Sequence, residues 1–529
     1  GSVVYSKESM QYIEKFFKIF LDVPLHVIKN RLDDNLMNNR GIVRLKKLGI
    51  KKLYAERKKL YYKYADFVIN CDESEEEKLA DLIVNAYAIR QLTNKEHTVN
   101  YVSTNGKSKA GFSDALLQGL ASDKGLFVPK HIPKLSPEEI SLMEYLRYDE
   151  IAFVIMRRFM EIDDLTLKGM CEEAYSFDVP IESYDDGRLF IVRLDQGPSG
   201  SFKDFAVRLL ARIMEHAISK KKKRMTVLTA TSGDTGGAVA SAFHGLKNIK
   251  VVILMPADEI TERQRKQMTT MGGNIKAVLV KGKFDDCQAL AKEALSKINR
   301  LSSANSINIG RLLPQIVYYF YVYSRVKADT FVVPSGNFGN LVAGLMAMRM
   351  GLPIRLVAAV NENDEVPKFF ESGIYKPITP SKKCISNAMN IGNPSNLARL
   401  VWFYDGVMDE KGKVIKLPDM KKIRTDIDAI SITDEDTINA MKLAYKSNII
   451  LEPHGAVGFA AIEKLRHTKD FGIIALLETA HPAKFPEELY KLGIKRSIPD
   501  SLAKLDNLKE YYIKIDPDFD KIYKIIQKP

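Results

Sequence analysis

Short apolar runs bounded by glycine or proline alternate with helical patterns along most of the chain, as in Met225–Ala230 followed by Gly236–Leu246. A run that is apolar at every position needs cover on both faces, which suits a strand of a parallel sheet. Ile473-Ile474-Ala475-Leu476-Leu477 is the most apolar such run. The rhythm predicts an α/β protein with parallel sheets. Near the start, the pattern predicts a strand over Ile19–Pro24, a helix over Leu25–Leu32 and a polar loop over Asp33–Arg40. A helix over Leu45–Tyr64, a strand over Phe67–Cys71 and a helix over Glu75–Tyr87 follow. Polar Gln91–His97 reads as a domain junction, and Tyr511–Ile515 as an edge strand. No fixed-period repeat or low-complexity block interrupts this order.

Length changes the picture first: 529 residues correspond to roughly three to four structural units at about 150 residues each. A composition of 46% hydrophobic and 27% charged residues excludes disordered and collagen-like chains. The charge of +13 suits anionic ligands or surfaces without choosing among them. Its one dense basic cluster, Lys220–Arg224, reads as a solvated connection. Cys71, Cys171, Cys287 and Cys384 form no C-x-x-C pair, which argues against a zinc cluster or disulfide scaffold and for a reducing, cytoplasmic setting. No apolar stretch reaches the length of a membrane span. The sequence starts at Gly1 without an initiator Met, basic n-region or signal-type apolar core, and reads as a fragment or processed product.

Candidate chemistry gathers in four loops that each follow a strand-like run. In Leu194–Phe205 a Gly/Ser-rich loop runs into an amphipathic helix, with Lys203 at its start. The free N–H groups and positive dipole end there disfavour a further cation, and burial acts in the same direction, so this ammonium should lose its proton easily. A Schiff-base lysine requires that property. Thr229–Gly237 repeats the strand, loop and helix order with Ser232 and Asp234, and Val333–Asn340 does so again. Small residues at such helix starts let backbone N–H groups approach an anion. Leu476–Phe485 places Thr479 and His481 directly after a buried-type strand, at the sheet edge where α/β proteins bind ligands. His481 reads either as an orienting group or as a proton carrier, and His454 as structural.

The first 90 or so residues resemble the C-terminal half of shikimate kinase. The resemblance rests on Gly1–Ser6, Leu21-Asp22-Val23-Pro24 and Glu56-Arg57-x-x-Leu60-Tyr61-x-x-x-Ala65-Asp66. It implies a nucleotide-phosphate contact at Arg40 and a shikimate contact at Arg57. Such kinases need a P-loop, and no G-x-x-x-x-G-K-[ST] occurs in the chain; Gly106-Lys107-Ser108 has Tyr101 where the first glycine belongs. The segment is therefore expected to be a kinase-inactive remnant.

From about Thr98 to about Pro499 the four loops, in their order, resemble threonine synthase. Tyr101–Gly106, Gly119–Pro129, Ser303–Leu312 and Glu452–Gly458 add to the match. The resemblance implies the fold type II architecture of pyridoxal 5'-phosphate enzymes: two doubly wound αβα domains and a smaller N-terminal region, preceded by a partial P-loop-kinase-like α/β fragment. Expected boundaries are 1–95, 96–190, 191–500 and a tail, 501–529. Lys203 would carry the cofactor, Asp234 would lie beside its phenolic oxygen, Gly336, Asn337, Phe338, Gly339 and Asn340 would bind its phosphate, and Thr479 would face its pyridine nitrogen. Substrate contacts would fall on Ser201, Ser232, Asn308 and Arg311, with no metal. Asp195-Gln196 stands where the family often has Phe-His, Gly455 where it often has Thr, and Glu478 where it often has Ser.

The implied reaction converts O-phospho-L-homoserine and water to L-threonine and phosphate, with Lys203 as general base. Neutral Thr479 would draw little charge into the ring and favour elimination over transamination. A phospho-lyase releasing 2-oxobutyrate and ammonia, and a non-catalytic regulatory protein, are the alternatives. The expected partner is a small phosphorylated amino acid, with neither nucleic acid nor membrane, and the expected state a monomer or homodimer.

Overall fold

The computed structural model describes residues 2–31, 42–71, 76–93, 100–184, 186–257, 259–298, 300–495 and 498–527. It divides into two compact units, Gly1–Lys95 with Leu142–Arg147, and Glu96–Ser141 with Tyr148–Pro529. In the first, Ile19–Asp22 pairs in parallel with Phe67–Asn70, accompanied by helices Leu25–Arg31, Leu45–Tyr64 and Glu76–Thr93. These elements follow the sequence pattern, except that the third helix continues past Tyr87 to Thr93, into the stretch read as a junction; Gly49 interrupts the helical backbone at φ 68°. Lys58 pairs with Asp22 at 2.9 Å, and the Tyr62 hydroxyl donates to the same carboxylate at 2.6 Å. Arg57 donates to the Val43 carbonyl at 3.0 Å. Arg40 and the expected loop Asp33–Arg40 lie outside the described residues.

The second unit contains two parallel α/β sheets, as the apolar rhythm requires. One runs in the order Ile427–Ser431, Arg355–Val360, Thr330–Pro334, Ile474–Glu478, Leu189–Arg193, Ile181–Tyr184, with only the last pair antiparallel. Thr330–Pro334 and Ile474–Glu478 are buried at every position, consistent with cover on both faces. The other sheet runs Leu301–Ser303, Met225–Ala230, Ile249–Pro256, Ile275–Val280, Ile513–Ile515, all parallel. The late strand therefore lies at a sheet edge, as its pattern predicts, and Ile522 and Ile526 of the following helix, Phe519–Gln527, join this sheet's core. A small antiparallel sheet links Lys109–Gly111, Asn100–Ser103 and Phe127–Pro129. No described helix is long and apolar enough to cross a membrane. All four cysteines are buried, and none is in a disulfide.

Loops at strand ends converge for a reason visible in the register. Ile474–Glu478 lies beside Leu189–Arg193, so the chain leaving each strand runs side by side. Phe202 N–H donates to the Thr479 carbonyl at 2.9 Å, and His481 N–H to the Gly200 carbonyl at 2.9 Å. This pairing sets Lys203, at the first turn of helix Lys203–Lys220, next to Thr479. The helix is anchored by Phe205, Leu209, Leu210, Ile213, Met214 and Ala217, all buried, an apolar stripe at helical spacing.

Candidate active site

One cleft collects residues from all four loops: Lys203, Ser232, Asp234, Arg311, Gly336, Asn337, Phe338, Gly339, Asn340 and Thr479 all line it. The Lys203 side chain is 13% exposed and its Nζ stands 3.5 Å from Asp234 Oδ2. Burial lowers the proton affinity of Lys203; the Asp234 carboxylate opposes this, and the positive charges of Lys484 and Arg311 add to it. The amine can therefore exist as the free base more readily than a solvated lysine.

Asp234 opens helix Asp234–Phe243. Burial alone would raise its pKa, but the Lys484 and Lys203 charges outweigh it and hold the carboxyl well below its usual range. The short contact is with Lys484, whose Nζ lies 2.6 Å from Asp234 Oδ1. Gln264 Nε2 donates to the same oxygen at 3.0 Å. Gly233, at φ 143°, has no room for a side chain, because a Cβ there would meet the Gln264 amide at about 2.5 Å. Lys484 and Gln264 were not singled out by sequence reasoning. Lys484 stands five residues past Thr479, and only the turn Pro482–Lys484 reveals that it reaches Asp234.

The loop before helix Gly339–Met350 closes another wall. Phe338 adopts a left-handed conformation, φ 60°, and is buried; so bulky a residue in that region is held there by its surroundings. Gly336 packs so tightly that a Cβ would meet Met389 Cα at 2.9 Å and the Ala388 carbonyl oxygen at 3.0 Å. Asn340 Oδ1 accepts from the hydroxyls of Tyr318 at 2.7 Å and Tyr319 at 2.8 Å. Its amide Nδ2 is buried without a hydrogen-bond partner. Arg311 donates from Nη1 to the Ala304 carbonyl, while its Nε is buried and unpartnered; burial lowers its pKa to about 10. Two residues that line the cleft thus carry orphaned donors, Asn340 at the first turn of a helix and Arg311 on another element, and each fits an anionic group. Together with an amine of weakened basicity, the Asn340 loop fits pyridoxal phosphate, which brings both a phosphate and an aldehyde, and Arg311 is left for a second anion.

Behind Thr479 lies a second acidic cluster. Thr479 Oγ1 is 3.5 Å from Glu452 Oε1. Glu452 caps helix Pro453–Leu465, accepting from the N–H groups of His454 at 2.8 Å and Gly455 at 3.1 Å. His454 places Nδ1 2.5 Å from Glu452 Oε2, and its Nε2 accepts from Ala388 N–H at 3.0 Å, which assigns the ring proton to Nδ1. The histidine thus braces the segment packed on Gly336, and it also lines the cleft. Glu478 accepts from the Glu452 N–H at 2.9 Å. Burial, and then the Glu452 carboxylate, push its pKa well above the usual carboxyl range. A Cβ on Gly455 would fall on Glu478 Oε2. The carboxyl thus occupies the space of a side chain at 455, which links the two departures from the family pattern.

Ser201 and Asn308 lie outside the cleft lining. Ser201 is buried, with Oγ 3.1 Å from Ser199 Oγ. Asn308 caps helix Ile309–Leu312, accepting from Gly310 N–H at 2.9 Å and donating to the Leu116 and Ser303 carbonyls at 2.9 and 2.8 Å. Its amide is thus committed to backbone groups, whereas a phosphate contact would need a spare donor. His481 Nδ1 accepts from Ala483 N–H at 3.1 Å, shaping the turn that carries Lys484. Arg399, also absent from the sequence-level candidates, is fully buried and donates to the carbonyls of Phe127, Ser306 and Ile307 at 3.0, 3.0 and 2.7 Å.

Comparison with known proteins agrees with this geometry. Residues 180–473 match the family of pyridoxal-phosphate dependent enzymes, 100–175 the threonine synthase N terminus, 455–526 the threonine synthase C-terminal family, and 1–88 shikimate kinase. A threonine synthase of Haemophilus influenzae is 39% identical over 77% of this chain and 94% of its own. One from Escherichia coli is 37% identical over 79% and 96%. The crystal structure of pyridoxal-phosphate-bound threonine synthase from Brucella melitensis superimposes with a TM-score of 0.75 at 34% identity, covering 81% of this chain and 99% of that one. With matches of this extent over the unit that carries the cleft, the chain belongs to the threonine synthases, a family of pyridoxal-phosphate-dependent enzymes.

Proposed function

We propose that the protein converts O-phospho-L-homoserine and water to L-threonine and inorganic phosphate. The observation that carries this reading is Lys203, 13% exposed and 3.5 Å from Asp234, on a cleft whose lining residues Arg311 and Asn340 each carry a buried, unpaired donor. Lys203, Asp234, Gly336 to Asn340 and Thr479 would hold the cofactor, which when bound supplies an electron sink for the carbanion formed at the substrate's Cα. Lys203 then acts as the base that takes the Cα proton and carries it onward. Arg311 and Ser232 hold the substrate phosphate and stabilise its charge as the Cγ–O bond breaks. Loss of a Cβ proton accompanies that departure; water adds at Cβ, and protons return to Cγ and Cα. Thr479, a neutral hydroxyl, favours this course over transamination.

In this reading residues 96–190 and 191–500 form the synthase, and the expected tail 501–529 belongs to it, because Ile513–Ile515 and Phe519–Gln527 complete the second sheet and its core. Residues 1–95 are an appendage that transfers no phosphate by itself. A cytoplasmic setting is supported by the four free thiols, and a monomer or homodimer binding neither nucleic acid nor membrane is the corresponding assembly. The test is to incubate the cofactor-loaded protein with O-phosphohomoserine and measure threonine, 2-oxobutyrate and phosphate together. Threonine and phosphate in equal amounts are expected. Equal 2-oxobutyrate and phosphate would make it a phospho-lyase, and no turnover would make it a non-catalytic relative.

A further inference from the structure

Two lysines meet one carboxylate in this site, and they are not equivalent. Lys203 reaches Asp234 Oδ2 at 3.5 Å from the cleft wall, whereas Lys484, with no exposed surface, holds Oδ1 at 2.6 Å. The Lys484 ammonium is completed by the Ser199 carbonyl at 3.0 Å. Its turn is fixed on both sides: Lys484 N–H donates to the His481 carbonyl at 3.0 Å, and Arg263 Nη1 donates to the Ala483 carbonyl at 2.7 Å. Arg263 and Gln264 share helix Glu262–Thr269, so one element anchors the Lys484 turn and supplies the third contact to Asp234.

We infer that Lys484 is a positioning residue whose buried ammonium neutralises Asp234, so that the two form a charge-balanced unit and leave the Lys203 amine free to act. The inference rests on the assignment of Lys203 as the working amine. A buried carboxylate needs a counter-charge. With Lys203 as sole partner, the proton on Lys203 would be held by that need. With Lys484 in place the need is met independently of Lys203, and the unit presents the charge of a neutral amide. The charged groups facing Lys203 are Asp234, Lys484 and Arg311; Asp204 faces Lys484, and the titratable ring of His454, with its one proton on Nδ1, faces Asp234.

The test compares the cofactor-free full chain with Lys484→Met, Asp234→Asn and the double variant. Trace acetylation of Lys203 is followed by peptide mass spectrometry as a function of pH. Lys484→Met should raise the labelling midpoint by about one pH unit or more, and Asp234→Asn should lower it. The double variant, again neutral, should return to within about half a unit of the unsubstituted protein. Pyridoxal phosphate affinity, titrated by absorbance, should fall at least about tenfold in Lys484→Met and recover in the double variant. A double variant no nearer to the unsubstituted protein than Lys484→Met overturns the inference, as does a midpoint unmoved while only stability falls. If Lys484→Met is insoluble, a soluble double variant with the native midpoint supports the neutral unit, and an insoluble one overturns it. Failure of borohydride to trap pyridoxal phosphate on Lys203 of the unsubstituted protein would refute the assignment of Lys203 instead, and leaves the labelling comparison intact.

Discussion

The floor of the cleft around Asp234 and the wall behind Thr479 bury acidic side chains by opposite means. At Asp234 a second lysine supplies the counter-charge, and the carboxyl stays ionised. At Glu478 the neighbouring cation is Arg193, whose Nη1 is 3.9 Å away and whose Nη2 pairs with Glu182 at 2.6 Å. Burial and the Glu452 carboxylate therefore dominate, and the carboxyl holds its proton more tightly than a solvated one. In the proposed function, the floor holds charge beside an amine that gives up a proton. The wall is built to be filled, with the Glu478 carboxyl where a side chain at 455 would otherwise sit.

Replacing the lysine that the floor serves should produce the largest effect. Lys203→Ala should reduce turnover by about a thousandfold or more, with the denaturation midpoint nearly unchanged, because its one ionic contact is long and Lys484 keeps Asp234 paired. Substantial residual activity would remove Lys203 from the chemistry. For the wall, Gly455→Thr should destabilise by about 3 kcal/mol in urea unfolding, since overpacking a tight site costs on this order. Adding Glu478→Ser should recover most of the loss; two additive penalties would show that the positions do not exchange volume.

Smaller and opposite effects should appear in stability against pH. Glu478 holds its proton more tightly folded than unfolded, so its contribution is complete below its ordinary value of 4.5 and declines as pH rises above it. Asp234 binds its proton more weakly when folded, so its contribution is present above 3.8 and is lost as pH falls below it. Glu478→Gln should thus gain stability relative to the unsubstituted protein as pH is raised from 4.5. Parallel curves would mean that Glu478 is already ionised in the fold.

How far these regions could be read in advance depended on whether their cause was local. Lys203 was visible because a Gly/Ser loop entering an amphipathic helix is a contiguous signal. Gly336 through Asn340 stood out through small residues between an apolar run and a helix. Even the edge strand Ile513–Ile515 followed from its own alternation, although its pairing with Val278–Val280 could not. Lys484 meets Asp234 across 250 residues of sequence and Gln264 meets it from a separate helix 30 residues on, and nothing in their neighbours marks them. Asn308 shows the reverse error: its residue type and place near Arg311 suggested a ligand donor, while the Asn-x-Gly spacing at a helix start is a capping pattern that accounts for its bonds. Gly455 and Glu478 each looked like an isolated departure; their mutual fit exists only in three dimensions.

One feature of the larger sheet bears on how the molecule is made. Ile474–Glu478 is inserted between Leu189–Arg193 and Thr330–Pro334, strands synthesised long before it. Until it arrives, each neighbour presents an unpaired, largely apolar edge, the kind of surface on which nascent chains associate wrongly. If its neighbours pair first, the slot stays open through the making of more than a hundred intervening residues, so assistance by chaperones during synthesis would protect the strand that carries Thr479 to the cleft.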